Sequence, residues 1–165
     1  MSDTAAHELS VTRFIDAPPE TVYRVWTERT AQWWAPKPFA TRVIEHDLRP
    51  GGRSEIELEG PDGQKYPHEG VFLEIVPGER VVMTNAFTAG WQPKTLMTSD
   101  CDFPTVAIFS FEPEDSGTRY TGRVRHWDAE AQNKHQAMGF EQGWGIVAGQ
   151  LAEIAEEEAR TRVAA

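Results

Sequence analysis

Phe140-Glu141-Gln142-Gly143-Trp144-Gly145-Ile146-Val147-Ala148-Gly149-Gln150-Leu151-Ala152-Glu153-Ile154 is the stretch whose reading decides the fold. Phe140, Trp144, Val147, Leu151 and Ile154 follow one another at steps of four, three, four and three, which puts five large apolar side chains on one helical face. Asp128 upstream is an acidic cap candidate, so the spacing predicts a helix from Asp128 to about Arg160. A helix of roughly 30 residues is about 45 Å long and would span a small domain. Its apolar stripe needs a broad cover, and a sheet is the natural partner. Gly139, Gly143, Gly145 and Gly149 interrupt the stripe, each at about 1 kcal/mol relative to alanine. Either the helix bends here, or its backbone packs closely on a neighbour, or it leaves room for something else.

The upstream sequence supplies the sheet. Leu9 to Ile15 alternates as a strand, and Ala17-Pro18-Pro19-Glu20 switches the period to a short helix carrying Val22, Val25 and Trp26. Thr30 to Trp34 forms one further turn, ended by Pro36 and Pro38. Strands are then expected over Thr41–Leu48, Arg53–Glu59, Tyr66–Val76, Arg80–Phe87, Thr105–Phe111 and Thr118–Trp127, with Thr88 to Phe103 irregular. Pro50-Gly51-Gly52, Pro61-Asp62-Gly63 and Pro77-Gly78-Glu79 turn the chain between them. In Arg53–Glu59 the glutamates alternate with Ile56 and Leu58, which reads as a half-buried strand with a solvated acidic face. The result is an α+β fold with a seven-stranded antiparallel sheet wrapped around a long C-terminal helix. It makes one domain over residues 9–157, between a flexible start at 1–8 and a frayed tail at 158–165.

Composition narrows the function classes. The 165 residues carry 16 lysines and arginines against 26 aspartates and glutamates, a net charge of −10, which disfavours nucleic acid and anionic membranes as partners. The first residues lack the features of a secretory signal, and no window is apolar enough to insert in a membrane, so a soluble cytoplasmic protein is expected. Cys101, the single cysteine, lies between Asp100 and Asp102, which raise a thiol pKa rather than activate it. Histidines 7, 46, 68, 126 and 135 include no pair at i, i+4 spacing, so no metal site is expected. Neither a Gly-x-Ser-x-Gly elbow nor a phosphate-cradling loop is present, and no cofactor is expected.

Several local motifs occur in a telling order. They are Ile15-Asp16-Ala17-Pro18-Pro19-Glu20-Thr21-Val22, Trp33-Trp34-Ala35-Pro36, Asp47-Leu48-Arg49-Pro50-Gly51-Gly52, Gly70 to Pro77 with Arg80-Val81-Val82, and Gly143-Trp144 followed by Leu151. Together they resemble the SRPBCC superfamily, the START-like helix-grip proteins, in the bacterial branch related to the activator of heat-shock-protein ATPase. The resemblance runs from about residue 9 to 157 and implies the helix-grip fold. For function it implies a choice between a noncatalytic binding protein, a polyketide-cyclase or dehydratase-like enzyme, and a cochaperone-like interaction module. The departures are the extra glycines at 139, 145 and 149 and the long insert around Trp91.

A sheet gripping a helix leaves a cavity where the two do not touch. The wall candidates are Trp33, Trp34, Phe39, Met83, Phe87, Trp91, Met97, Phe109, Gly143 and Val147, each of which could equally be core filler. Polar candidates are Glu45, Glu74, His126 and Glu141, with Asp128 and Arg123 nearby in sequence; an inward carboxylate beside a histidine could serve as a general base. The leading expectation is a small lipophilic or aromatic ligand held between sheet and helix. A homodimer and a chaperone partner stay open.

Overall fold

A computed structural model describes residues 7–94 and 103–164. Met97 and Cys101, considered above, fall outside the described residues.

The strands lie in the order β1, β9, β8, β5, β4, β3, β2, all antiparallel. Their ranges are β1 Glu8–Ile15, β2 Ala40–His46, β3 Arg53–Glu59, β4 Lys65–Val76, β5 Arg80–Thr84, β8 Thr105–Glu114 and β9 Gly117–His126. Helices α1 Pro19–Glu28 and α2 Thr30–Trp33 follow β1, and α3 Ala129–Ala137 and α4 Phe140–Ala164 follow β9. This is the helix-grip arrangement. Pro19 sits in the first turn of α1, where a missing N–H costs nothing, and the helix buries Val22, Val25 and Trp26.

Phe87, expected to end a strand, and the stretch 88–93, expected to be irregular, form a small hairpin of their own, β6 Phe87–Thr88 with β7 Gln92–Pro93. β5 ends early because Thr84 and Asn85 turn the chain. The Thr84 hydroxyl donates to Thr105 O at 2.7 Å, and the Asn85 amide bonds Phe103 O and Thr105 N at 3.0 and 2.8 Å.

The expected single helix from Asp128 to Arg160 is two helices. Asp128 does cap α3, its carboxylate accepting from Ala131 N at 2.8 Å. Gly139 then adopts φ +92°, a conformation that side chains rarely tolerate, and it ends α3 in the way such residues commonly end helices. The break brings His135 and Phe140 together, with ring centroids 5.0 Å apart. The other helical glycines do not serve close packing: a Cβ at Gly143 or Gly145 would meet nothing within 4 Å, and at Gly149 only Arg13 Nη1 at 3.9 Å.

On α4, Phe140, Val147 and Leu151 are buried together with Ala148, Ala152 and Ala155, while Trp144 and Ile154 are half-buried at the margins of that face. Burying a leucine fully contributes about 2 kcal/mol, so the stripe holds α4 on the sheet. The helix rests on β1, α1, α2 and α3. Residues 158 to 164, expected to fray, continue the helix. Glu158 is clasped by Arg24 at 2.6 Å and Arg29 at 2.9 Å.

Candidate functional site

The region beneath the first turns of α4 is filled by aromatic rings. Trp144 stacks on Phe109 at 5.6 Å with 2° between the planes, and meets the edge of Trp34 at 5.5 Å. Trp33 and Trp26 complete the group, at 5.3 Å from Trp34 and 4.9 Å from Phe109 respectively. Gly122 makes the stacking possible, since a Cβ there would come within 3.1 Å of the Trp144 ring. Gln150 ties α4 to the end of α2 and the residues after it, donating to Trp33 O at 2.8 Å and Ala35 O at 2.9 Å. Of the wall candidates, Trp33, Phe109 and Val147 are therefore buried in the packed core, and Trp34 and Met83 sit half-buried against it. Gly143 is half-buried on α4.

Beyond this group the helix side of the sheet continues through β4, β3 and β2. Cross-strand partners share a face, so the register Phe72↔Met83↔Ala107↔Val124 carries the helix-side face outward. Three rows follow: His46↔Ser54↔Gly70, Val43↔Ile56↔His68, and Thr41↔Leu58↔Tyr66. Val43, Ile56 and Leu58 are only half-buried there, and Phe39 meets Tyr66 at the rim, 6.4 Å between rings. Thr41 Oγ1 and His46 Nδ1 are both buried without a hydrogen-bond partner. Burial pushes the His46 pKa down, so its imidazole is neutral at pH 7. None of Val43, Ile56, Leu58, Tyr66, Thr41 or His46 was singled out from sequence for this role. The signal was the apolar alternation of Ser54, Ile56 and Leu58 against the glutamates of β3. Phe87 and Trp91 stand apart on the β6–β7 hairpin, 6.2 Å from each other, with the Trp91 ring over Gly51.

The polar candidates do not come together. β-bulges at Val43/Glu45 and Phe72/Glu74 reset the alternation of β2 and β4. After them Glu45 pairs with Glu55 and Glu74 with Val82, both on the face away from α4. There Glu45 lies 3.7 Å from Arg53, and Glu74 is ion-paired with Arg80. Glu141 is exposed in the first turn of α4.

His126 is buried, and its partner is another histidine. His126 Nδ1 donates to His7 O at 2.8 Å, because a carbonyl can only accept, and this leaves Nε2 to accept from His135 Nδ1, also at 2.8 Å. Rings of Phe103, Phe140 and Trp144 surround His135 at 5.2, 5.0 and 6.5 Å. Burial lowers the pKa of both imidazoles, taking His135 down to about 4, with His126 adding to the effect there. Nine residues apart in sequence, the two meet only because α3 folds back on β9. Among the described residues no group of three or more His, Cys, Asp or Glu side chains is placed to hold a metal ion.

A separate cleft of about 370 Å³ opens between α1 and the end of α4, lined by Arg24, Arg29, Glu157, Glu158, Thr161 and Arg162. It is polar, and Glu158 already engages two of its arginines. No described helix is long and apolar enough to cross a membrane.

Residues 16–156 match the protein family described as Activator of Hsp90 ATPase homolog 1-like protein. No curated protein matches the chain. Among solved structures, the chain is similar to protein NE0264 from Nitrosomonas europaea, with 31% identity and a TM-score of 0.82 over 96% of this chain and 98% of that one. Protein CV1439 from Chromobacterium violaceum is 26% identical, with a TM-score of 0.71 over 91% and 97%. A protein from Arthrobacter aurescens shares the fold at 22% identity, with a TM-score of 0.78 over 95% and 90%. The family match runs from the turn after β1 to the second half of α4 and takes in both the ring cluster and the β2–β4 face. The chain therefore belongs to the Activator of Hsp90 ATPase homolog 1-like family.

Proposed function

We propose that the chain binds a small hydrophobic or aromatic molecule on the helix-side face of β2–β4, with the ring cluster under α4 as its inner wall. The observation that carries this reading is the half-buried apolar patch of Val43, Ile56 and Leu58 beside two buried, unpartnered polar atoms. Small-molecule sites combine an apolar lining with a few orienting polar groups, and this face has both. The net charge of −10 favours a neutral ligand over nucleic acid. Binding without catalysis fits best, since Glu45 and Glu74 lie in ion pairs on the opposite face, away from His126.

The test is a thermal-shift panel of lipophilic and aromatic compounds against the native chain and Ile56→Glu. Ligands that bind only the folded state raise its melting temperature by mass action. A carboxylate at position 56 would have to be desolvated under the ligand, at a cost of roughly 2 kcal/mol or more. Every stabilising compound should therefore bind Ile56→Glu at least tenfold more weakly. Equal stabilisation of both proteins would place the ligand elsewhere, and no stabilisation across the panel would argue against ligand binding altogether.

A further inference from the structure

We propose that His46 is the specificity-determining residue of this site, and that its Nδ1 selects an aromatic ligand carrying a neutral hydroxyl group. The proposal rests on the ligand-binding reading above. Buried polar atoms are nearly always hydrogen-bonded, so a buried ring nitrogen with no protein partner calls for an explanation. The imidazole is held edge-on to Phe72, 5.5 Å between centroids and 78° between planes, and Phe72 is itself fully buried. The nitrogen is thus fixed in orientation by a rigid neighbour.

The row across the sheet from His46 holds only Ser54 and then Gly70, so beyond the imidazole it carries nothing larger than a hydroxymethyl group. The adjoining row is Val43 and Ile56, followed on β4 by the exposed His68. A flat hydrocarbon lying over Ile56 would bring one end to His46.

The chemistry of that end follows from the charges. The three helix-side rows contain neither lysine nor arginine, and Arg53, the nearest guanidinium in the register, points to the other face toward Glu45 and Glu55. A carboxylate at the His46 end would find no lysine or arginine and, with the imidazole neutral, no cation at His46 either. A hydroxyl meets the requirement with either tautomer, because it donates to a bare Nδ1 and accepts from a protonated one. Thr41, at the far end of the same face, leaves a second unpartnered hydroxyl for a longer ligand.

The experiment compares 2-naphthol with 2-methylnaphthalene, which differ by a hydroxyl for a methyl of similar size, by NMR titration of the native chain and of His46→Leu. The native chain should prefer the naphthol about tenfold, as one hydrogen bond to a buried partner allows. His46→Leu should bind both compounds with similar affinity, and His46→Gln, which keeps a hydrogen-bonding group, should recover part of the preference. Equal binding of the two probes by the native chain overturns the role of His46 while leaving the site itself standing. A preference that persists in His46→Leu overturns it as well. Failure of the native chain to bind either probe overturns both the anchor and the aromatic site.

Discussion

Trp144→Ala should cost about 3 kcal/mol of folding stability and lower the melting temperature by roughly 10 °C. The ring is only half-buried, which by itself would suggest a smaller loss. Its neighbours decide otherwise. It stacks flat on Phe109, meets Trp34 edge-on, packs on Phe140 at 4.8 Å and fills the space above Gly122. Aromatic pairs contribute about 0.5–1.5 kcal/mol each beyond the area they bury, and three such pairs are lost together with the apolar surface. Chemical denaturation of the native chain and the variant measures the difference. A loss below about 1 kcal/mol would mean that the ring lies loosely at the surface and that the cluster does not wall the site. Added indole should restore part of the stability, because a dry apolar void takes up a ring of the shape removed.

The native chain should also lose stability between pH 6.5 and pH 4 in a way that His135→Asn does not. The folded state holds His135 at about 4, below the ordinary value near 6.5, and His126 is lowered too. Above pH 6.5 neither state binds a proton at these sites and stability is unaffected. As the pH falls below 6.5 the unfolded chain takes up protons that the folded chain refuses, so stability drops. The drop levels off near pH 4, where the folded His135 accepts its own proton. Allowing for partial solvent screening, the loss from His135 amounts to about 2 kcal/mol. Burial lowers the His126 pKa most; the hydrogen bond to the His7 carbonyl opposes it, the charge of His7 adds to the lowering and Asp128 raises it. Glu158 titrates at lower pH: burial would raise its pKa, but hydrogen bonds from Arg24 and Arg29 outweigh this and hold it down. These other groups contribute alike in the native chain and in His135→Asn, whose amide can still donate to His126 without titrating. Parallel stability curves for the two proteins from pH 7 to 4 would remove the histidine pair as the cause.

The architecture was legible in the sequence because its signals were local. The four-three spacing from Phe140 to Ile154 located the buried face of α4, and the proline-glycine turns separated the strands near their true limits. What escaped depended on single backbone events or on distant partners. Gly139 could be counted as a cost to a helix, but its positive φ, which divides the helix in two, is a conformation and not a composition. Glu45 and Glu74 were polar candidates whose face the sequence left open, and a bulge in each strand sets them on the face away from α4. His126 and His135 meet through the fold-back of α3, which no spacing rule anticipates. Gly122 did carry a readable sign, since a glycine inside a strand marks a close approach, and the approaching group is Trp144. The apolar side of β3 was also readable, though not that α4 rests toward β1 and leaves Ile56 and Leu58 half-exposed.

The central claim is the location of the ligand, and amide chemical-shift mapping with 2-naphthol on the native chain tests it most directly. The largest shifts should fall on His46, Ser54, Ile56 and Leu58 and on the Trp144 indole N–H, saturating with a single affinity. Shifts concentrated instead around Arg24, Arg29 and Glu158, or spread evenly over the surface without saturation, would contradict it.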